Sequence, residues 1–257
     1  MVDLTALRTD FRRDGYAVVR GLFAGGMLAR MTTDFDRIVA QLEASGEDVN
    51  ARWGGPRMER LAAGDSQVVH THGVEQYSAV WSSAFVHEPF LDACEALLGP
   101  DVVLHHTKLF QKPPRTGAPF PLHQDWSYFP MQRDSMIAAV IHISDSCDAM
   151  GGLRVVPGSH VLGRAVATSG QGESDVLDRY ALADAISVEA APGDVLFFHA
   201  FTLHGSLPNT SDNARKTVLV QLYDGRDDEE GDASHPNARL VLRGWNHCAT
   251  RSRANQR

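Results

Sequence analysis

The sequence of 257 residues predicts a β-rich sandwich or barrel with helices packed beside it. Three observations lead to this fold class: helical spacing in the first hundred residues, short β-rich runs after residue 101, and a globular composition. Hydrophobic residues make up 43% of the chain and charged residues 22%, which suits a folded core and excludes a fibre or a disordered chain. Since no Pro- or Ser-rich linker interrupts the chain, we predict a single domain over residues 1–257. In it, a helix-rich part (1–100) packs on a β-rich core (101–257).

The first hundred residues carry apolar side chains at helical spacing in three stretches. These stretches are residues 4–11, 27–42 and 89–98. Gly15 ends the first predicted helix, and residues 16–20 are predicted to form a short strand. Residues 45–75 are rich in Gly, Arg and Asp, so we predict a long irregular region there.

From residue 101 the pattern changes to short β-rich runs separated by Gly, Pro, Asn and Asp. The predicted strands are residues 102–111, 136–144, 152–156, 186–190, 195–201 and 217–223. Because helices do not alternate regularly with these runs, the pattern favours a sandwich or barrel over a doubly wound parallel sheet.

Charge and cysteine content exclude several classes of partner. The formal net charge is −8, whereas binding to a phosphate backbone needs a basic surface. The three cysteines, Cys94, Cys147 and Cys248, lie far apart and form no C-x-x-C pair. Residues 1–10 lack the apolar segment of a signal peptide, and no 18-residue apolar run occurs. We therefore expect a cytoplasmic protein, monomeric or weakly dimeric, with neither nucleic-acid nor membrane partners.

The first motif whose side chains could take part in chemistry is His123-Gln124-Asp125. On an extended strand, residues two apart point to the same face, so this imidazole and carboxylate could chelate one metal ion. Twelve histidines and 32 acidic residues would give about one or two such pairs by chance. Spacing alone therefore leaves open a surface histidine beside a solvated aspartate.

The second motif is His204-Gly-Ser, followed by Arg215. A strand enters this stretch, residues 208–213 are rich in turn-forming residues, and another strand leaves it. An antiparallel hairpin centred between Asn209 and Thr210 would place His204 opposite Arg215 on one face. The alternative for Arg215 is a solvated hairpin arginine.

Taken together, the two motifs meet a specific chemical demand. Two histidines and one carboxylate on one side of a metal form the facial triad of non-haem Fe(II) oxygenases. Three coordination positions then stay open, of which 2-oxoglutarate can take two and O2 one. The far carboxylate of 2-oxoglutarate needs a fixed cation, and the planar fork of arginine suits a carboxylate.

Six segments extend the pattern over most of the chain. They are residues 11–22 (FRRDGYAVVRGL), 109–114 (LFQKPP), 121–130 (PLHQDWSYFP), 151–160 (GGLRVVPGSH), 192–198 (PGDVLFF) and 203–215 (LHGSLPNTSDNAR). In these segments and their order, the chain resembles the phytanoyl-CoA dioxygenase family of Fe(II)/2-oxoglutarate-dependent oxygenases. The resemblance implies a double-stranded β-helix, or jelly roll, with flanking helices.

The resemblance also implies roles for particular residues. The implied iron ligands are His123, Asp125 and His204. Arg215 matches the residue that binds the distal carboxylate of 2-oxoglutarate, and Ser206 matches the hydroxyl that assists it. Lys108 and Ile141 fall at strand positions that line the cosubstrate in relatives. The relatives carry other residue types at these two positions. The implied cofactors are Fe(II), 2-oxoglutarate and O2.

The reaction class and its rivals follow from these residues. Related halogenating enzymes lack the carboxylate ligand, so Asp125 favours hydroxylation, while desaturation, ring closure and epimerisation stay open. A cupin-like Zn or Mn hydrolase or isomerase is disfavoured by Arg215, and by the position of His70 and His72 outside the β-rich region. A non-catalytic jelly-roll binding module is the other rival.

We expect a small-molecule metabolite as substrate. Arg52, Arg57 and Arg60 could form a local basic pocket for an acyl-CoA. Residues 161–185 form a long connection that could act as a substrate lid.

We predict structural roles, not metal binding, for the remaining histidines and for the aromatic residues near the motifs. His199 lies five residues before His204, so a regular strand would point it away from the site. We expect backbone hydrogen bonds for His105, His106, His142 and His160, and a structural role for His70 and His72, although these two could line a substrate pocket. Strict alternation after Asp125 would place Phe129 on the ligand face and Trp126 and Tyr128 opposite, and we expect these rings to be mainly core residues.

Overall fold

The computed structural model describes residues 2–50, 66–166, 175–231 and 235–254. Its helices are α1 (Leu4–Asp14), α2 (Gly25–Ser45), α3 (Ala79–Phe85), α4 (Glu88–Leu98) and α5 (Arg251–Ala254). The Asp3 carboxylate caps α1 by accepting from the backbone N–H groups of Thr5 and Ala6, and Gly15 ends it with φ of 76°. The three predicted helical stretches are confirmed, whereas α3 was not predicted.

The strands form two sheets whose pairings are antiparallel. They are β1 (Tyr16–Val19), β2 (Val69–His72), β3 (Val102–Lys112), β4 (Phe120–His123), β5 (Ile137–His142), β6 (Leu153–Val155), β7 (Ile186–Ser187), β8 (Val195–His199), β9 (His204–Ser206), β10 (Arg215–Asp224) and β11 (Leu240–Arg243). The larger sheet has the order β1-β8-β5-β10-β3-β11, with β2 also paired to β3, and the smaller has the order β4-β9-β6-β7. From β3 to β6, and again from β8 to β10, the chain passes from one sheet to the other at each strand. This alternation confirms the predicted jelly roll.

The helices and the larger sheet share one hydrophobic core. Phe35 of α2 and Trp81 of α3 belong to the same buried cluster as Leu104 and Val220 of the sheet. On β5, Ile137, Ala139 and Ile141 join this helix-facing core, whereas Ala138 and Val140 join the cluster between the sheets. The helical layer therefore covers one face of the larger sheet and leaves the other face to the interior of the jelly roll.

Two predictions about β structure are wrong. The region predicted as irregular contains β2, which pairs with β3 and places His72 beside Lys108. The predicted hairpin does not form, since β9 pairs with β4 and β6 in the smaller sheet while β10 pairs with β3 and β5 in the larger one. Arg215 consequently lies opposite Lys112, not opposite His204.

Parts of two predicted features lie outside the described residues. Arg52, Arg57 and Arg60 belong to the segment 51–65, and residues 167–174 belong to the long connection after β6. The described end of that connection packs on the smaller sheet, because Leu177 and Leu182 are buried in a cluster with Leu203. Among the described helices, none combines the length and hydropathy needed to cross a bilayer.

Candidate metal centre and its pocket

A cavity of about 440 Å³ opens between the two sheets. Its walls combine side chains of both sheets with residues that follow β4. The lining residues are Asn50, His70, His106, Lys108, Phe110, Phe120, His123, Asp125, Tyr128, Phe129, Val140, His142, Leu153, Phe198, His204, Gly205, Ser206, Arg215, Thr217, Leu219 and His235. The volume lies in the usual range for small-molecule sites.

Three potential metal ligands meet on one side of this cavity. His123 ends β4 and His204 begins β9, and the pairing of these strands sets the two residues side by side. His123 Nε2 lies 3.5 Å and His204 Nε2 lies 3.4 Å from Asp125 Oδ1. All three side chains are buried. The structure therefore brings together the predicted triad.

The protonation states of these groups suit a divalent cation. His123 Nδ1 donates to Pro121 O and His204 Nδ1 donates to Thr202 O, both at 2.9 Å, which fixes both rings with Nε2 toward Asp125. Burial lowers the pKa of His123 and keeps its ring neutral. Burial alone would raise the pKa of Asp125, but His204 and His123 hold it below the ordinary value. Two imidazoles and one carboxylate are the donor set of a facial triad.

Asp125 reaches the site from a turn and not from a strand. A short 3-10 helix spans Asp125–Ser127, so the predicted strand alternation is wrong after His123. Gln221 of β10 orients the carboxylate by donating from Nε2 to Asp125 Oδ2 at 2.6 Å. This hydrogen bond leaves Oδ1 toward the histidines.

Gln124, the middle residue of the motif, points away from the ligands and secures the loops behind them. Its Nε2 donates to Phe201 O at 2.6 Å and to Gly163 O at 3.0 Å. Its Oε1 accepts from Trp126 Nε1 and from the backbone N–H groups of Ala165 and Val166. Gln124 therefore ties the turn of Asp125 to the strand connection before His204.

Two buried basic side chains lie together on paired strands, and one of them, Arg215, lines the cavity. Arg215, which begins β10, is 5% exposed, and Lys112, opposite it on β3, is fully buried. Arg215 Nη1 donates to Gly151 O, whereas Nε has no partner. Lys112 Nζ donates to Ser206 Oγ at 2.6 Å and to Leu207 O at 2.8 Å.

The electrostatics of this pair favour an anionic ligand. Burial lowers the pKa of Arg215 to about 10, and burial together with Arg215 lowers the pKa of Lys112. Within the described part of the chain, neither side chain pairs with a carboxylate. An anion placed between Arg215 and Ser206 would therefore favour the charged forms of both Arg215 and Lys112.

Lys112 was missed at the sequence level. It belongs to the LFQKPP segment, but no role was assigned to it. Its register opposite Arg215, which the strand pairing creates, is what places it in the site.

The other predicted cosubstrate residues have different outcomes. Lys108 lines the cavity, four residues along β3 from Lys112. Ile141 is fully buried in the helix-facing core, so the prediction that it lines the cosubstrate is wrong. Its neighbours Val140 and His142 line the cavity instead, because alternate residues of β5 face opposite sides of the sheet.

The structure also sorts the remaining histidines. His199 does not line the cavity and packs near Phe201 with ring centroids 4.8 Å apart, as predicted. Backbone hydrogen bonds are confirmed for His142, to Asp194 O, and for His160, to Arg12 O. The corresponding predictions for two others are wrong. His105 Nε2 bonds Glu229 Oε1, and His106 Nε2 bonds His72 Nδ1.

The aromatic residues after Asp125 do not alternate as predicted. Both Tyr128 and Phe129 line the cavity because the 3-10 helix turns them to the same side. Trp126 packs with Phe129 in a small core cluster. The expected core role therefore holds for this cluster, while two of its rings also face the cavity.

Comparison with known proteins gives a family match and several relatives. The phytanoyl-CoA dioxygenase (PhyH) family model matches residues 11–217. A probable alpha-ketoglutarate-dependent hypophosphite dioxygenase of Stutzerimonas stutzeri is 30% identical over 142 residues, which are 52% of this chain and 49% of that protein. Peroxisomal phytanoyl-CoA dioxygenase of Bos taurus is 25% identical over 229 residues, covering 84% of this chain and 67% of the relative.

Solved structures support the fold. The epimerase SnoN from nogalamycin biosynthesis, in complex with Fe3+, alpha ketoglutarate and nogalamycin RO, superposes with a TM-score of 0.73 at 20% identity. The match covers 93% of this chain and 98% of SnoN. The curated relatives are longer, since the matched part spans about half to two thirds of their length.

Proposed function

The chain belongs to the phytanoyl-CoA dioxygenase family, and from this premise we propose that it is a non-haem Fe(II)- and 2-oxoglutarate-dependent dioxygenase. It hydroxylates an unactivated C–H bond of a small-molecule metabolite and releases succinate and CO2. The observation that carries this proposal is the meeting, in one cavity, of the triad with Arg215 and Ser206, the latter hydrogen-bonded to the buried Lys112.

His123, Asp125 and His204 would hold the metal. The fixed Nδ1 hydrogen bonds of both histidines and the bond from Gln221 to Asp125 keep three donor atoms aimed at one point. Bound Fe(II) would supply the redox chemistry that couples O2 to the oxidative decarboxylation of 2-oxoglutarate. The chain's own contribution is to hold the ligands in the required protonation state before metal arrives.

Arg215, Lys112 and Ser206 would bind the distal carboxylate of 2-oxoglutarate. The guanidinium offers a planar pair of donors. The Ser206 hydroxyl accepts from Lys112 Nζ at 2.6 Å, so its own proton is free to be donated to the carboxylate. The three groups fix one end of the cosubstrate and leave its other end toward the triad.

Apolar side chains would shield the reacting part of the cavity from water. Phe120, Phe198, Tyr128 and Phe129 line it together with the triad. A cavity of about 440 Å³ that also receives 2-oxoglutarate leaves room for a small substrate, or for the reacting end of a larger one. We propose that the helical part and the jelly roll act as one catalytic domain, with their shared core as support.

Two rivals predict different behaviour. A cupin-like Zn or Mn hydrolase would have no use for the buried cations. The position of His70 and His72, however, does not argue against it, because both lie on β2 in the larger sheet. A non-catalytic binding module would leave the metal-ready triad without a role.

The test is the formation of succinate from 2-oxoglutarate in air, with Fe(II) added to the purified protein and a panel of small metabolites. Iron-dependent succinate formation that one metabolite class stimulates, and that His204→Ala removes, supports the proposal. Hydrolysis or isomerisation of a substrate under nitrogen with Zn(II), without succinate, would point to the cupin-type rival.

A further inference from the structure

A second group of titratable side chains lies at the same cavity, and all but His72, which is hydrogen-bonded to one of them, line it. His70 and His72 alternate on β2, His106 and Lys108 alternate on the neighbouring β3, and His235 approaches from the segment before β11. We call these five residues the histidine–lysine cluster. Lys108 and Lys112 are four residues apart on one strand, so the cluster lies about 13 Å from the buried cation pair at 3.3 Å per residue.

The imidazoles of the cluster contact one another. His72 Nδ1 and His106 Nε2 share a hydrogen bond of 2.7 Å. The His235 ring stacks on that of His106, with centroids 4.9 Å apart, and lies 5.2 Å from the ring of His72. The cluster is thus a continuous patch of N–H donors and acceptors on the cavity wall.

Lys108 brings a positive charge that feels the Asp125 carboxylate through space and forms no direct ion pair among the described residues. Its ammonium lies 4.7 Å from the centroid of the Phe110 ring. Across the described residues it makes neither a hydrogen bond nor an ion pair, although it is partly buried. A partly desolvated ammonium in this position attracts an anion.

Two sets of contacts connect the cluster to the metal centre, one through Gln221 and the other through Tyr128. His106 pairs across the sheet with Gln221, whose amide holds Asp125. The Tyr128 ring is 6.3 Å from that of His123 and 6.1 Å from that of His235, centroid to centroid. Only the ring of Tyr128 would therefore separate a group bound at His235 from the proposed iron ligand His123.

The charge around the cluster decides between a cation and an anion. The nitrogens of His72, His106 and His235 lie within 4.8 Å of one another, which would also suit a metal. Burial is the main cause that lowers the pKa of His72 to about 4 and of His106 to about 3, and the charge of Lys108 adds to it. The same charge acts on His70 and His235. A divalent cation would meet this repulsion, and it would also have to break the His72–His106 hydrogen bond.

Building on the proposed function, we infer that Lys108 and the adjoining histidines form a subsite for an anionic group of the substrate, a carboxylate or a phosphorus oxyanion. The ammonium supplies the charge, and His106, His72 and His235 supply N–H donors. Because the subsite adjoins the metal centre, the carbon that is oxidised lies within a few bonds of the anionic group.

The test measures binding of simple anions to protein that already holds Ni(II) and saturating 2-oxoglutarate, so that the Arg215 end is filled. Inorganic phosphate and acetate are the two probes, titrated by calorimetry. We expect saturable binding of at least one probe, at one per chain. Lys108→Met should weaken it at least tenfold, and Lys108→Arg should restore most of it. Preference for phosphate or for acetate then separates the two kinds of anionic group.

The matched control is Lys216→Met, which removes a lysine from β10 that pairs with Asp36 at 2.6 Å and does not line the cavity. It should leave both probes and 2-oxoglutarate unaffected. Lys108→Met should keep the circular-dichroism spectrum and the cooperative thermal unfolding of the parent protein, which shows that the variant is folded.

Several outcomes would overturn the subsite. They are the absence of probe binding while 2-oxoglutarate still binds, equal probe binding in Lys108→Met, and a second equivalent of Zn(II) that His72→Gln removes. If 2-oxoglutarate does not bind but probe binding still depends on Lys108, the anion site stands and the proposed oxygenase function fails.

Discussion

The two positively charged ends of the cavity differ in burial and in connectivity. Arg215 and Lys112 are almost fully buried, and their donors are held by Gly151, Ser206 and Leu207. Lys108, at the other end, is partly exposed and makes no hydrogen bond among the described residues. The first end is built in advance for one invariant ligand, whereas the second can adapt to its ligand.

The difference indicates how one cavity can serve two molecules. A rigid clamp on the cosubstrate fixes the position of its reacting end, which every turnover needs. A looser cation with several imidazole donors around it can accept an anionic group whose position depends on the rest of the substrate. The metal ligands line the same cavity.

The largest effect is expected when the shared centre is removed. Asp125→Ala leaves the two histidines without the carboxylate of the triad, so Fe(II) affinity and succinate formation should both fall at least about a hundredfold. Metal titration and a succinate assay measure this. His199→Ala, which removes a histidine that does not line the cavity, should retain both, and iron-dependent turnover within tenfold of the parent in Asp125→Ala would contradict the assignment.

Removing the Arg215 charge should weaken the binding of 2-oxoglutarate and leave the binding of phosphate and acetate unchanged. Arg215→Met removes a charge-assisted contact worth about 1.5 to 3 kcal/mol, so the KM for 2-oxoglutarate should rise by about 10- to 100-fold. Steady-state kinetics with varied 2-oxoglutarate provide the measurement. Arg115→Met, which removes an exposed arginine paired with Asp212, is the control. An equal loss of phosphate or acetate binding in Arg215→Met would mean that the two ends are not separate sites.

A smaller loss of metal affinity is expected when Gln221 is changed. Gln221 donates to Asp125 and pairs across the sheet with His106 of the histidine–lysine cluster. Gln221→Leu removes the hydrogen bond to Asp125 Oδ2, and losing such an outer partner typically weakens metal affinity by about tenfold or more. Competition with a metal-binding dye would measure the change. Gln111→Leu alters a glutamine on β3 that does not line the cavity and should behave as the parent protein. Unchanged metal affinity in Gln221→Leu would show that Asp125 needs no support from β10.

The smallest expected effect is on the pH dependence of folding stability, to which the buried histidines of the histidine–lysine cluster contribute. Burial lowers the pKa of His70 and His72 to about 4 and of His106 to about 3, so these rings stay neutral in the fold after the unfolded chain has begun to bind protons near pH 6.5. Stability should therefore fall as the pH drops from 6.5 toward 4. Tm measured by calorimetry at pH 7 and pH 5 should differ by about 2 to 4 °C for each kcal/mol lost.

His106→Gln should reduce this pH dependence without removing it. His142 and His199 also have a lowered pKa of about 4, caused mainly by burial, and contribute with the same sign. A Tm that rises on acidification, or a pH dependence unaltered in His106→Gln, would contradict neutral histidines at the adaptable end.

Local patterns in the sequence predicted a β sandwich or barrel with flanking helices, and the resemblance carried by short segments added the jelly roll and the triad. Each of these signals is local: a short strand is followed directly by the turn residues that end it, and the residues within the HQD segment, or within the HGS segment, are neighbours along the chain. The parts that failed depend on pairing between distant strands. Ile141 was assigned to the wrong face because a shift of one residue reverses a strand. Lys112 gains its position only when β3 and β10 pair.

The histidine–lysine cluster illustrates the same limit. His70 and His72 alternate as in a strand, yet their surroundings indicated a loop. Their contact with His106 and His235 requires β2 to pair with β3 and the chain to return more than 100 residues later. Likewise, the predicted hairpin failed because the chain changes sheet between His204 and Arg215, which turn residues alone do not reveal.

The central claim is that one cavity binds Fe(II) at the triad and 2-oxoglutarate between the triad and Arg215. Anaerobic titration of the metal-free protein with Fe(II) and 2-oxoglutarate, followed in the visible spectrum, tests it most directly. We predict a weak metal-to-ligand charge-transfer band that is lost in His204→Ala and needs more 2-oxoglutarate in Arg215→Met. Absence of the band, with tightly held Zn(II) and no binding of 2-oxoglutarate, would contradict the account.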